Sequence, residues 1–126
     1  MDLCVLVYQL ASSFPKQELY GLTSQVQRAS VSIPSNIAEG RMRGSIREYA
    51  QFISIARGSL AELRTQVTLA VRLGFVKVED CVEIMNLAER LAQRLNALKR
   101  SLERSAHNGA TFAKTETRIP KTEAID

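Results

Sequence analysis

The chain has 126 residues, 45% of them hydrophobic, which suffices for one domain with a modest core and not for two. Seventeen basic against thirteen acidic residues leave a formal charge of +4, with an isoelectric point near 9.4, so an acidic partner is permitted but not required. The two cysteines form no CxxC pair and the only histidine is His107, which argues against a metal site, a cofactor or a redox motif; no apolar run approaches the ~20 residues that cross a membrane.

In chain order, MDLCVLVYQLASS has roughly the 7 to 15 residue apolar run of a signal peptide, yet Asp2 stands where a basic residue belongs and Gln9 interrupts the run. Leu3, Leu6, Leu10 and Phe14 fit one helix face instead. A first helix is expected over Leu3–Ser13, stopped by Pro15, in a protein of the reducing cytoplasm whose Cys4 and Cys81 serve as small buried apolar residues. Lys16 and Gln17 make the turn.

The second helix is expected from about Glu18 to Ala38. Its stripe is Leu19, Leu22, Val26, Ala29, Ile33 and Ile37, and it runs through Pro34. Proline has no amide hydrogen to give to the carbonyl of Ser30, at a cost of about 3 kcal/mol in a helix interior, so a kinked single helix needs compensation. Ser30, Ser32, Ser35 and Asn36 offer it through short polar side chains; the alternative is two helices meeting at Ile33. Gly40 is expected to close the helix in the left-handed conformation.

After Arg41–Gly44, Ser45 and Glu48 have the spacing of a capping box. The third helix follows from Ile46 to Leu73, with a heptad seam of Ile46, Tyr49, Ile53, Ala56, Leu60, Leu63, Val67, Ala70 and Gly74. Gly58, inside it, is expected where another helix comes close. Gly74 ends it, and the fourth helix carries Cys81, Ile84, Ala88, Leu91, Leu95, Leu98 and Leu102. From residue 106 the periodicity stops, which sets a bundle domain over 1–105 and a disordered tail over 106–126 with Gly109 and Pro120. The tail is charge-balanced, so the excess lies in the bundle, 14 basic against 10 acidic residues. Further apolar residues, Phe52, Ile55, Leu69 and Val71 on the third helix and Val82, Met85, Leu87 and Ala92 on the fourth, widen the core face or serve contacts between copies.

The stretches YGLTSQ, RASVSIPSNIAEG and GSLAELRTQ resemble the signature of four-helix-bundle proteins encoded within intervening sequences of bacterial 23S ribosomal RNA genes, over Leu3 to about Ser105. The resemblance implies an all-α, up-and-down four-helix bundle assembling with itself into a ring of five, with no established activity. A more distant similarity in fold links that family to accessory proteins of diversity-generating retroelements, which bind nucleic acid. The first helix is short against the family pattern and lacks its usual Trp.

Catalysis has little to work with, because His107 sits at the tail and no other base accompanies a nucleophile; a non-enzymatic role without a small-molecule substrate is expected. Arg28, Glu39, Glu62 and Gln66 are expected to form a structural polar network between the second and third helices, with Glu62 the favoured partner of Arg28. Arginines outnumber lysines 12 to 5, and the planar guanidinium suits phosphate. Arg28, Arg41, Arg43, Arg47, Arg94, Lys99, Arg100 and Arg104 are therefore the candidate contacts to an RNA or DNA backbone. The competing reading is a protein-interaction scaffold whose arginines serve salt-bridged faces and subunit contacts.

Overall fold

The computed structural model describes residues 2–108 and consists, within them, of four helices: α1 (Asp2–Ala11), α2 (Leu22–Arg41), α3 (Ile46–Arg72) and α4 (Val82–His107). They pack in sequence as an antiparallel up-and-down bundle, with α2 against α3 the most extensive contact and α1 also touching α4. The expected tail falls outside the described residues from 109 onward, but α4 itself continues through Ala106 and His107, beyond the boundary that the loss of periodicity set.

The hydroxyls of Ser12 and Ser13 donate to the carbonyls of Gln9 and Leu10 at 2.6 and 2.7 Å and end α1. Phe14 is buried, its ring 5.8 Å from that of Phe75, which ties this end to the α3–α4 connection. A single 3₁₀ turn at Lys16–Glu18 follows, and α2 starts at Leu22, later than expected, where the Glu18 carboxylate accepts from the Leu22 amide at 3.3 Å. Leu19 precedes the helix and is 55% exposed, so it does not belong to the core stripe.

Helix α2 is continuous through Pro34. The fully buried Ser30 carbonyl, robbed of its usual donor, accepts instead from the Cys4 thiol of α1 at 3.1 Å. The compensation thus comes from across the bundle and not from the serines. Asn36 donates to the Ser32 carbonyl and hydroxyl at 2.7 and 2.9 Å, and the Ser30 hydroxyl donates to Gln27. Cys4 is only half-buried and works as a donor, so the expectation of an inert apolar filler holds for the buried Cys81 alone.

Two glycine expectations need correction. Gly40 lies within α2, not at a left-handed close; a Cβ there would stand 2.8 Å from the Phe52 Cβ and 3.0 Å from the Tyr49 ring, so the glycine lets α2 and α3 approach. Gly58 meets no neighbour within 4 Å and is exposed, because the side it faces is open. Gly74, at φ +80°, does close α3: its amide bonds to Val71 and that of Phe75 to Ala70, a Schellman arrangement.

The heptad positions of α3 from Ile46 to Ala70, and those of α4 from Cys81 to Leu102, are all buried. Of the additional apolar residues, Phe52, Val71, Met85, Leu87 and Ala92 are half-buried, whereas Ile55, Leu69 and Val82 face outward. Cys4 meets α2 at its middle, so α1 accompanies only the first half of α2, and toward the α2–α3 turn the described core is made by three helices. None of the described helices is long and apolar enough to cross a membrane.

Candidate nucleic-acid interface

The antiparallel order gathers at one end the α2–α3 turn, the start of α3 and the last turns of α4. The Ser45 hydroxyl accepts the Glu48 amide at 3.0 Å and contacts the Glu48 carboxylate at 3.2 Å, fixing the first turn of α3. Arg41, Arg43 and Arg47 project around this cap and are exposed. Arg43 bonds to Glu39 at 2.8 Å, and its guanidinium carbon lies over the Phe52 ring, 5.0 Å from its centroid. On α4, Arg100 and Arg104 are exposed, and Lys99 is bound to Glu103 at 2.7 Å. That bond, with the lysine's charge, pulls the Glu103 carboxyl below its ordinary range.

The distribution of charge is one-sided. With the Ser32–Ser59 contact and Asn96 as the mid-plane, residues 33–58 and 97–108 hold seven basic and three acidic side chains, and the remaining described residues hold seven of each. The excess of four therefore belongs wholly to the half that carries the α2–α3 turn.

This placement splits the predicted contacts. Arg41, Arg43, Arg47, Lys99, Arg100 and Arg104 come together at the basic end. Arg94 stands on the exposed side of α4 in the neutral half, and Arg28 on the exposed rim of the α2–α3 groove. The expected polar network does not close. Arg28, Glu62 and Gln66 share one groove, but among the described residues Arg28 and Glu62 form no ion pair, and Glu39 turns instead to Arg43 in the turn that follows it. An ion pair that does join two helices is Arg64–Glu89, 2.9 Å, between α3 and α4.

Sequence reasoning missed Phe52 as the platform for Arg43, and Gln25, Ser32 and Ser59 as groove residues. The signal for the last three was available, since Gln25, Arg28 and Ser32 repeat at helical spacing, as do Ser59, Glu62 and Gln66. Tyr49 lies under the basic end with its hydroxyl buried and, among the described residues, without a partner; burial raises its pKa, opposed in part by Arg41.

The fold and its charged end define a small antiparallel helix-bundle protein with one basic pole. The sequence model of the 23S rRNA-intervening sequence protein family matches residues 1–97, and the chain belongs to that family. Among curated proteins it has no match.

Proposed function

We propose that this protein is a non-enzymatic binder of RNA or DNA backbone, acting in the cytoplasm and using the end of the bundle formed by the α2–α3 turn and the last turns of α4. The observation that supports it is the confinement of the whole charge excess to that end, where Arg41, Arg43, Arg47, Arg100 and Arg104 are exposed. Guanidinium groups on a rigid scaffold bind phosphates with little readout of sequence. The ring of five that the family resemblance implies, or any smaller symmetric assembly, would repeat the basic end in each copy and raise the local field.

The test is fluorescence anisotropy of a labelled RNA hairpin and a DNA duplex at about 50 and 300 mM salt, with mass measured in parallel. Binding at low salt, lost at high salt and abolished by Arg41→Glu with Arg43→Glu without dissociating the assembly, is the expected result. Indifference of the native protein to both nucleic acids at both salts would overturn it.

A second reading, a protein-interaction scaffold, is favoured by one feature of the opposite end. There Val78 and Val82 are exposed beside Val71 and Met85 along a shallow apolar cleft of about 330 Å³.

A further inference from the structure

The outer groove between α3 and α4 lies below the basic end and holds an open cleft of about 390 Å³. The Arg64–Glu89 pair fixes the register of the two helices there. Seven residues toward the basic end on each helix, about 10 Å away, Arg57 stands at the height of Asn96. Midway between these rungs are Ala61 and Ala92, whose small side chains leave the groove hollow. Gly58 deepens it, and packing does not explain this glycine. A Cβ there would meet nothing within 4 Å, while a glycine inside a helix is less stable than alanine. What it provides is room beside Arg57 for another group to approach the backbone closely.

Three donors surround that room without partners. Among the described residues Arg57 forms no hydrogen bond or ion pair, and its charge reaches Glu103 only through space. The half-buried Ser54 hydroxyl and Asn96 amide are equally unengaged. Arg64, at the far rim, spends Nη2 on Glu89 and keeps other N–H groups. Among the described residues no carboxylate lines the cleft, since Glu89 is taken by Arg64 and Gln93, and Glu103 by Lys99.

We propose that this cleft binds a phosphate group, carried by a free nucleotide or by the backbone of a nucleic acid. The Arg57 fork gives parallel N–H donors to two phosphate oxygens, and Ser54 and Asn96 supply donors for the others. A tetrahedral anion uses all three side chains, where a carboxylate with two oxygens does not. The Ala61–Ala92 hollow offers an apolar shelf to the attached sugar. The cleft stands on its own groups and does not depend on the reading of the basic end.

The experiment follows the backbone amide resonances of the isotope-labelled full chain at about 50 mM salt. The probes are inorganic phosphate, adenosine monophosphate and a dinucleoside monophosphate whose single phosphate is a backbone diester, each to about 10 mM, with acetate as control. Phosphate and at least one nucleotide probe should shift Ser54, Arg57, Gly58 and Asn96 saturably, with a Kd of about 1 mM or below, and acetate should not. Tighter binding of the monoester assigns a free nucleotide as the source, and tighter binding of the diester assigns a backbone. Arg57→Ala should weaken binding at least about tenfold. Gly58→Leu keeps every charge and fills the cleft, so it should weaken binding as much while circular dichroism shows the fold intact. Shifts spread over all arginines alike, an equal response to acetate, or undiminished binding by Gly58→Leu would each overturn the cleft. Phosphate binding here by a protein indifferent to RNA and DNA would keep the cleft and end the basic-end reading. RNA binding without a response of these four amides to the small probes would end the cleft and keep the basic end.

Discussion

At the end bearing the α2–α3 turn, three described helices meet over Ile37, Ile46 and Leu102, and the surface carries the full positive excess. At the other end α1 joins them, Phe14 packs on Phe75, charges balance, and the exposed surface is partly apolar. The difference is instructive because both ends close helices by ordinary means, a serine cap in one case and a Schellman glycine in the other. Neither closure needs arginine. The basic residues at the turn end are thus not what closes its helices, although Arg43 is engaged by Glu39 and Phe52 and Lys99 by Glu103; the proposed function gives that end its use.

Reversing charges at the two ends tests this contrast with the largest effect. Arg41→Glu with Arg43→Glu should weaken RNA binding by about 100-fold or more at low salt, while Arg72→Glu with Lys77→Glu at the neutral end should change it less than about threefold, both by anisotropy. Equal losses at both ends would erase the contrast.

Close packing near the turn makes the next test. Gly40→Ala drives a Cβ into Phe52 and Tyr49 and should cost about 2 kcal/mol in urea unfolding, whereas Gly58→Ala, with open space around it, should gain about 0.5 to 1 kcal/mol from helix propensity. A smaller effect belongs to the other half of the bundle. Cys4→Ala leaves the Ser30 carbonyl buried without its donor and should cost about 1 kcal/mol, with Cys4→Ser recovering part of it.

The smallest effect concerns Tyr49. Its phenol is raised above its ordinary pKa by burial, so the folded state holds the proton more tightly than the unfolded chain. The resulting stability is complete below the unfolded value and falls as the pH rises from about 10 toward the folded value. Tyr49→Phe should flatten that alkaline decline and leave neutral stability unchanged or higher by up to about 1 kcal/mol, because the hydroxyl has no partner to lose.

The apolar stripes of α3 and α4 were legible in the sequence because a 3-4 repeat over about six turns admits only one buried face, and every heptad position from Ile46 to Ala70 is indeed buried. The capping hydroxyl of Ser45 was legible for the same local reason. The start of α2 was not, since Leu19 continues the apolar spacing while a 3₁₀ turn and Gly21 delay the helix. Nor were the roles of the glycines, because whether a helix glycine marks an end or a close approach depends on what stands opposite. The candidate contacts were found as residue types but not as a site, and Arg28 and Arg94 fall away from the cluster once the helices are placed.

The sequence by itself determined the number of helices, the buried faces of α3 and α4 and the closure of α3, which follow from spacing and backbone preference within a few turns of chain, whereas on α1 the buried stripe is Leu3, Val7 and Ala11 and the expected Leu6 and Leu10 are only half-buried. Tertiary structure alone decided that a thiol from α1 satisfies the carbonyl orphaned by Pro34, that Gly40 serves contact and Gly58 does not, and that the charge excess collects at one end. Those outcomes depend on which residues stand at the same height on neighbouring helices, a relation set by packing and antiparallel register and absent from any local stretch of sequence.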